Sequence, residues 1–390
     1  MRSVDVAIVG GGVVGSATAY YLRKQGFAGS IAIIEKDTTY AFSCTARAAG
    51  GIRQQFSCPE NILLSQFGLR LIRTLEQEFG AGADVAFREQ GYLNLATAPG
   101  AAMLEMNAAL QTSMGADIET LRGDALERRF PWIVCDDIVC GTFGRSGEGW
   151  LDPSSLMNLL RKAAQGLGAE LLKDEVVAVE ARETAIRSVT TRAGSIIACG
   201  ALVNAAGASA GKIAAMAGID LPVGPRKRYV YVLDCPAAPA AMHAGPLTID
   251  PSGFYVRPEG ALFISGLSPS PAEEPADVSW EVDDAWFEER IWPLLAHRIP
   301  AFETLKVVNS WVGHYDYNSF DENGIIGRHP MIENFYMANG FSGHGLQQAP
   351  AAGNAIAELI VHRRFRTIDL ARLGYERIVH REPYVELNIV

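Results

Sequence analysis

The sequence predicts an α/β protein in which a Rossmann-like dinucleotide-binding domain is interleaved with a second domain built on an antiparallel β-sheet. Three observations support this fold class. A glycine-rich strand–turn–helix–strand unit opens the chain, elements of the same kind return twice further along, and the segments between them differ in texture, with strands punctuated by Pro and Gly. We therefore expect a first domain from residues 1–56, 145–222 and 320–390, and a second from 57–144 and 223–319.

The N-terminal unit has the spacing of a dinucleotide-binding motif. A β-branched apolar run ends in Gly10-x-Gly12-x-x-Gly15, and a helical pattern and a second buried-type strand, Ser30–Glu35, follow it. Gly10 allows a tight turn, Gly12 lets the backbone approach a pyrophosphate, and Gly15 lets the helix pack closely against the strand. Because strand, turn, helix and second strand occur together, the motif predicts a dinucleotide site.

Electrostatics indicates how this unit holds its ligand. The free N–H groups at the start of the helix, beside Val13 and Val14, favour an anionic pyrophosphate. Glu35 ends the second strand, where its carboxylate is placed to accept hydrogen bonds from ribose hydroxyls, and it disfavours only NADP. Lys36 follows it and is included among the expected cofactor contacts.

The rest of the chain alternates between helical and strand patterns. In chain order we predict a helix over 59–79, a helix from Pro153 to about 167 with Asp152 as its N-cap, strands through 197, a strand over 201–207, strands over 229–267, a helix to about 295, and a last helix from Gly345 to about 363. Residues 270–277 and 310–330 are expected to be irregular.

The composition excludes several classes of protein. A formal net charge of -10 argues against non-specific nucleic-acid binding, which needs a basic face. No segment has the pattern of a transmembrane helix or of a leader peptide, so we expect a cytoplasmic protein. The six cysteines form no CxxC pair, which indicates scattered reduced thiols, and no metal site is predicted.

Three later features favour FAD over NAD. The small-residue loop 45–51 lets a backbone lie against a flat ring, and the strand 203–207 returns the chain to the dinucleotide sheet. Residues 340–345 open a helix whose N–H groups suit an anionic ring edge, as reduced flavin needs. The expected FAD contacts in these segments are Arg47, Ala49, Gly50, Gly51, Ala206, Gly207, Gly343, His344, Gly345, Leu346 and Gln347.

In this order the residues resemble the D-amino-acid oxidase and sarcosine oxidase superfamily of FAD proteins, over nearly the whole chain. The resemblance is sharpest in Val4–Glu35, Ala201–Arg228, Trp311–Pro330 and Gly340–Pro350, and Gly340–Gly345 is close to the sarcosine oxidase sequence. The resemblance implies an FAD-binding Rossmann-like domain with an inserted β-sheet substrate domain, which matches the interleaving. It also implies FAD contacts at the loop Ala49–Gly51 and near Val176.

Shorter runs resemble two groups within this superfamily. Pro225–Tyr231 and Gly313–Asn318 are similar to mitochondrial FAD-dependent oxidoreductase domain proteins associated with assembly of respiratory complex I. Gly51–Phe56 resembles FAD amino-acid dehydrogenases that act on proline-like substrates.

The resemblance implies a reaction at the C–N bond of an amino acid or N-substituted amino acid. Flavin N5 takes a hydride from the carbon that bears the amine, and the product imine hydrolyses in water. The substrate carboxylate needs a cation, ideally a bidentate Arg. Arg53 is the first candidate because its loop borders the ring, Arg228, Arg257 and Tyr255 are the next candidates, and His344 is expected beside the flavin.

The sequence departs from the sarcosine oxidase pattern where that family attaches flavin and activates oxygen. No Cys follows Cys235 and the first His is His243, so we expect non-covalent FAD. Ile264 occupies about the place of the oxygen-activating Lys, which favours a dehydrogenase that passes electrons to a quinone or a carrier protein. Gln347 and Tyr315 stand where sarcosine and glycine oxidases bind the carboxylate, which argues against those two substrates.

The sequence raises four other hypotheses about function. Residues 207–211 match the G-x-S-x-G pattern of hydrolases, but no His-rich oxyanion loop precedes Ser209. The turn at Asp321 lacks the spacing of an EF-hand, because Ser319 and Pro330 fall at ligand positions. An FAD-stabilised assembly factor without amino-acid turnover and a 2-hydroxy-acid dehydrogenase stay open.

Overall fold

The computed structural model describes residues 2–275 and 277–388, so the outermost predicted domain bounds, residues 1 and 390, lie outside the described residues. The strands are β1 Arg2–Val9, β2 Ile31–Glu35, β3 Gly51–Ile52, β4 Tyr92–Ala96, β5 Ile118–Leu121, β6 Cys140–Gly144, β7 Gly149–Trp150, β8 Ala169–Lys173, β9 Val176–Arg182, β10 Ala185–Thr191, β11 Ile196–Asn204, β12 Val223–Asp234, β13 Leu247–Ile249, β14 Phe254–Glu259, β15 Leu262–Leu267, β16 Lys306–Asn318, β17 Ile325–Arg328 and β18 Phe335–Asn339.

The helices match the predicted ones and add several short ones. They are α1 Val13–Lys24, α2 Pro59–Arg73, α3 Leu75–Phe79, α4 Ala98–Ser113, α5 Asp124–Arg129, α6 Pro153–Gly166, α7 Ala210–Met216, α8 Asp284–Trp286, α9 Trp292–Arg298, α10 Gly345–His362 and α11 Glu376–His380. Asp152 caps α6 as predicted, since its carboxylate accepts a hydrogen bond from the N–H of Ser154 at 3.0 Å. Within the described residues, no helix has the length and apolar character needed to cross a membrane.

The first sheet is the dinucleotide-type sheet. Its main path runs β17-β18-β11-β1-β2-β8, and β1 is parallel to both of its neighbours. β9 and β10 extend it as an antiparallel hairpin beside β11. β1 and β2 are largely buried apolar runs because the sheet is covered on both faces. Helices α1, α6 and α10 cover one face, and α7 lies in the core on the other.

Helices α2 and α3 belong to the core of this first layer. Leu64, Leu71, Ile72 and Leu75 pack in the same apolar cluster as α1 and α10. The predicted domain bounds place these residues in the second domain, whereas their apolar side chains are buried in the first. The predicted boundary at residue 57 therefore does not coincide with the change from one apolar core to the other. The division into domains stays a prediction.

The second sheet has eight strands in the order β16-β12-β15-β14-β13-β4-β6-β5. All its pairs are antiparallel except β13 with β4, which is parallel. Its own core is aromatic, with Tyr231, Phe254, Phe263 and Phe302 among the fully buried side chains. The predicted fold class, an α/β protein with an inserted and largely antiparallel sheet, is confirmed.

The prediction of an irregular segment over 310–330 is wrong for residues 310–318 and 325–328, which lie in β16 and β17. Residues 306–318 form β16, which pairs with β12 from Val223 opposite Asn318 to Asp234 opposite Lys306. The backbone ladder stabilises the strand, while several of its polar and aromatic side chains line a cleft. The expected alternation of apolar and polar residues is therefore missing from the sequence.

A buried ion pair holds the turn that follows β16. Arg377 on α11 donates from Nε and Nη2 to the carboxylate of Asp321 at 2.6 and 3.0 Å, and Nη1 donates to the carbonyl oxygens of Leu373 and Gly374. The Arg377 and Asp321 side chains are 6% and 0% exposed. The Asp321 carboxylate thus already has a cationic partner, and no cluster of metal-ligating side chains is present among the described residues.

Substitution of Arg377 by Met tests this turn. The change removes the cationic partner of the buried Asp321 carboxylate and leaves it only the hydrogen bonds from Asn318, Asn323 and Tyr384, so we expect the free energy of unfolding to fall by about 3–5 kcal/mol in denaturant titrations. Arg128→Met is the control, because its ion pair with Asp124 is 74% and 87% exposed and should contribute less than about 0.5 kcal/mol. Equal losses in the two variants would contradict this account.

Candidate active site

The turn between β1 and α1 is as tight as the glycine spacing predicts. Gly10 has a φ of +100°, and a Cβ atom on it would lie 2.3 Å from the carbonyl oxygen of Ala205. A Cβ atom on Gly15 would lie 1.9 Å from the carbonyl oxygen of Gly10. Neither position accepts a side chain without moving the backbone. Gly12 is the N-cap of α1 and brings no capping side chain, but the N–H of Val13 donates to Oγ1 of Thr45 at 3.1 Å. Gly12, Val13 and Val14 line an open cleft.

Glu35 lies at the end of β2 on the same edge of the sheet. Its Oε2 accepts a hydrogen bond from the N–H of Gly11 at 2.7 Å, and its Oε1 accepts one from the N–H of Asp37 at 2.8 Å. These bonds fix the carboxylate beside the cleft, and each oxygen keeps a further lone pair for a ligand hydroxyl. The geometry is compatible with the predicted ribose contact.

A long cleft starts at this turn and runs toward the second sheet. Its volume is about 1390 Å³ with its open mouth included. The predicted cofactor contacts that line it are Gly10, Gly12, Val13, Val14, Glu35, Lys36, Arg47, Ala49, Ala206, Gly207, Gly343, Gly345 and Leu346. Tyr255 and Arg228 line it as well.

A smaller cavity of about 690 Å³ adjoins the cleft. The two share a wall made of Ala48, Ala49, Tyr255, Tyr315, Gly343 and Leu346. A ligand that fills the cleft as far as this wall therefore borders the smaller cavity. The predicted residues found only around the smaller cavity are Gly50, Gly51, Arg53, His344 and Gln347.

Arg53 brings a buried positive charge to the smaller cavity. The residue is 6% exposed, and its guanidinium stacks on the ring of Phe56 at 4.3 Å. Nη1 donates to the carbonyl oxygen of Gln55 at 2.9 Å, and Nη2 donates to that of Asn388. The N–H of Arg53 donates to Oε1 of Gln347 at 2.5 Å, so the predicted wall residues hold each other in place.

The two other candidate arginines have carboxylate partners, whereas no ion pair of Arg53 is present among the described residues. Arg228, on the wall of the cleft, pairs with Glu274 at 2.8 Å. Arg257 lies on neither wall, pairs with Glu259, and donates from Nη2 to the carbonyl oxygen of Ala49 at 2.9 Å. These contacts support the loop before β3, and the substrate contact of Arg257 stays a prediction.

His344 is the N-cap residue of α10 and lies on the wall of the smaller cavity. It is 5% exposed, and neither ring nitrogen has a hydrogen-bond partner in the part of the chain that the structure describes. Burial lowers the pKa of this imidazole to about 3, so the ring is neutral. A buried ring with two unsatisfied nitrogens costs free energy that a ligand or a water molecule would offset.

Three tyrosines, Tyr92, Tyr255 and Tyr315, complete the cavity wall together with Leu247 and Ile249. Burial raises the pKa of all three tyrosine hydroxyls, which therefore stay protonated at neutral pH. Tyr92, Leu247 and Ile249 were not predicted. They lie on β4 and β13, which meet only through the parallel pairing of strands distant in the sequence.

Two buried carboxylates that were not predicted hold the loop that carries Arg53. Glu148 accepts hydrogen bonds from the N–H of Gln54 at 2.6 Å and from the side-chain amide of Gln55 at 2.8 Å. Burial raises the pKa of Glu148 to about 7. The pKa of Glu386 lies below its ordinary value. Burial acts to raise this pKa, but hydrogen bonds from residues that include Asn61 lower it by more.

Two residues named from the sequence lie elsewhere. Val176 begins β9, and its side chain lies in the core beneath the first sheet and on neither cavity wall, so the FAD contact of the backbone near Val176 stays a prediction. Ser209, the residue of the hydrolase hypothesis, ends the 3-10 turn Gly207–Ser209 on the wall of the cleft. The six cysteines are free thiols, as predicted.

The comparisons with known proteins agree with this geometry. The family model DAO, described as FAD dependent oxidoreductase, matches residues 5–359. "FAD-dependent oxidoreductase domain-containing protein 1" of Xenopus laevis is 41% identical over 99% of this chain and 85% of its own length. The mitochondrial dimethylglycine dehydrogenase of Rattus norvegicus is 28% identical over 99% of this chain and 47% of its own length.

A solved structure shows the same fold. L-proline dehydrogenase from P. horikoshii superposes with a TM-score of 0.86 at 26% identity, and the match covers 98% of this chain and 100% of that one.

Gly15→Ala tests the cleft as the dinucleotide site. The added methyl group would lie 1.9 Å from the carbonyl oxygen of Gly10 and would force α1 away from the turn. We expect FAD to bind at least about tenfold more weakly, measured by flavin absorbance during titration of the apoprotein. Gly166→Ala is the matched control, because a Cβ atom there meets no heavy atom within 4 Å. Full FAD affinity in Gly15→Ala would place the site elsewhere.

Proposed function

Because this chain belongs to the DAO family of FAD-dependent oxidoreductases, we propose that it oxidises the C–N bond of an amino acid or an N-substituted amino acid. FAD, when bound, supplies the oxidation by accepting a hydride from the carbon that bears the amine. The residues of this chain would hold it along the cleft, with the pyrophosphate at Gly12, Val13 and Val14, and the ribose at Glu35.

The fit of the cleft to FAD rests on the chain's own geometry. The turn at Gly10 leaves no room for a Cβ atom, and the N-terminus of α1 has no side-chain cap from its N-cap residue. The shared wall at Ala48 and Ala49 offers small side chains to a flat ring. Together these features accommodate a pyrophosphate at one end and a ring system at the other.

The observation that carries the proposal is the buried guanidinium of Arg53 on the cavity wall. It has hydrogen bonds to carbonyl oxygens but no ion pair among the described residues. A buried cation of this kind is costly unless an anion joins it, and a carboxylate is the natural bidentate partner of a guanidinium. Arg53 therefore supports a substrate that carries a carboxylate.

The rest of the wall supports a neutral amine on the substrate. No Asp or Glu is present among the described residues that line the smaller cavity. A substrate ammonium group would therefore find no carboxylate partner on the described wall, and burial in the cavity lowers the pKa of the bound amine. His344 is neutral and has both ring nitrogens available, so it can donate one hydrogen bond and accept another. The neutral amine keeps the lone pair that assists hydride loss from the neighbouring carbon.

Non-covalent attachment of FAD is part of the proposal. Cys44 is the cysteine on the wall of the cleft, and burial raises the pKa of its thiol to about 12. The thiolate form, which is the nucleophile, is therefore scarce at neutral pH.

We also propose that electrons leave to a quinone or a carrier protein in preference to oxygen. Ile264 is 2% exposed and packs with Val230, Val232, Ala49 and Trp311, close to the shared wall. The family resemblance places the oxygen-activating Lys of sarcosine oxidases at about this position. An isoleucine brings no charge to that place, which favours a dehydrogenase.

Arg53→Met tests the proposed role of the guanidinium. The variant keeps much of the side-chain volume but loses the charge, so we expect kcat/KM for an oxidised amino acid to fall about 100-fold or more, equivalent to about 2.7 kcal/mol. The measurement is the rate of flavin bleaching without oxygen. Arg70→Met, on the exposed face of α2, should leave the rate unchanged. Unchanged turnover in Arg53→Met with full FAD content would contradict the proposal.

A further inference from the structure

The segment 384–388 contacts the guanidinium of Arg53 through Asn388. The carbonyl oxygen of Asn388 accepts a hydrogen bond from Nη2 of Arg53. The side-chain amide of Asn388 donates to the carbonyl oxygen of Gln55 at 3.3 Å, and the same oxygen accepts Nη1 of Arg53 at 2.9 Å. Asn388 and Gln55 thus form one cradle for the guanidinium, although Asn388 lies on neither cavity wall.

Glu386 fixes this segment to the start of α2. It is 1% exposed, and its Oε1 accepts hydrogen bonds from both the N–H and the hydroxyl of Ser57 at 2.7 Å. Oε2 accepts from the N–H of Cys58 at 3.1 Å and from the side-chain amide of Asn61 at 2.9 Å. Cys58 is the N-cap residue of α2 and supplies no side-chain cap. The carboxylate of Glu386 lies beside this helix start, where the helix dipole favours a negative charge.

The same carboxylate orients Asn388 directly. Oε1 of Glu386 also accepts a hydrogen bond from the N–H of Asn388 at 3.0 Å. The N–H of Leu387 between them donates to the hydroxyl of Ser57 at 2.8 Å. The backbone from 386 to 388 is therefore folded around one carboxylate, and the carbonyl group of Asn388 has little freedom to leave the guanidinium.

We propose that Glu386 is a positioning residue, which fixes the Asn388 carbonyl group against Arg53 and so directs the guanidinium toward a ligand carboxylate in the smaller cavity. The inference rests on the proposed function of Arg53 as the carboxylate-binding residue. A guanidinium held by two carbonyl oxygens on one side keeps its remaining N–H groups in a fixed direction. Loss of the Glu386 carboxylate leaves the guanidinium charge in the cavity wall but no longer fixes the direction of its N–H groups.

The test compares two aromatic probes, one with a carboxylate and one with a neutral carboxamide at the same position. Benzoate and benzamide are titrated into the FAD-bound protein, and the change in flavin absorbance gives the two dissociation constants. In Glu386→Gln we expect benzoate to bind about tenfold more weakly while benzamide binding stays unchanged. Glu386→Asp keeps the charge on a shorter side chain and should recover part of the benzoate affinity.

Glu358→Gln is the matched control. Glu358 is a carboxylate that is 1% exposed on α10, and it also anchors a following segment, since it accepts the N–H of Arg366 at 2.7 Å. Its partners are distant from the described walls of the smaller cavity. We expect Glu358→Gln to lower the unfolding temperature as Glu386→Gln does, with no change in the affinity for benzoate.

Asn388→Ala is a second test. It keeps Glu386 and removes the hydrogen bond from the Asn388 side-chain amide to the carbonyl oxygen of Gln55. It should weaken benzoate binding about threefold, and it stays decisive if Glu386→Gln fails to fold. If Glu386→Gln folds and binds benzoate as tightly as the unmodified protein, the positioning role is overturned. If Glu386→Gln does not fold, unchanged benzoate binding in Asn388→Ala overturns it. Neither result touches the proposed function of Arg53. Equal affinity of the unmodified protein for benzoate and benzamide overturns the proposed function of Arg53, and with it this inference.

Discussion

A buried guanidinium with no ion pair among the described residues is the constraint around which the proposed site is organised. Removal of a full charge from water costs on the order of several kcal/mol, and carbonyl oxygens and an aromatic face offset only part of that cost. Arg53 has two carbonyl partners and the ring of Phe56, but no ion pair among the described residues. We therefore expect the cavity to favour an anion, because a carboxylate is the ligand that gains most from entering it.

The two sheets meet around this charge. The first sheet contributes the glycine turn and the cleft for the dinucleotide, and the second contributes Tyr255 and Tyr315 from β14 and β16. The loop from β3 to α2 lies between them, and two buried carboxylates hold it. Glu148 binds the backbone at Gln54, and Glu386 binds the start of α2. The interleaved chain is thus what brings a cofactor cleft and a substrate cavity to a common wall.

Much of the cofactor site was predictable from local sequence. The spacing of Gly10, Gly12 and Gly15 requires a tight turn before a helix, and a carboxylate at the end of the next strand follows from the same motif. Arg53 was predictable because its loop comes soon after this unit. The wall of the cavity was harder, since Tyr92 meets it only through long-range strand pairing. No local pattern identifies such contacts.

The errors have physical causes as well. The sequence predicts an irregular segment where β16 forms, because polar and aromatic side chains of this strand line the cleft. The backbone ladder with β12 that stabilises the strand is not visible in the sequence of β16 itself. The hydrogen bond of Arg257 to the carbonyl group of Ala49 joins residues distant in the sequence and is not visible in its strand, and its substrate contact stays a prediction. Glu386 lies more than three hundred residues from its partners, Ser57 and Cys58.

The most direct test of the account is anaerobic mixing of the unmodified, FAD-bound protein with a panel of amino acids and their carboxamides. The panel includes L-, D-, N-methyl and cyclic amino acids, and the measured quantity is the rate of flavin bleaching. The account predicts that at least one class of amino acid reduces the flavin, that its carboxamide does not, and that a quinone reoxidises the flavin faster than air does. A flavin that no amino acid reduces, or that carboxamides reduce equally well, would contradict it.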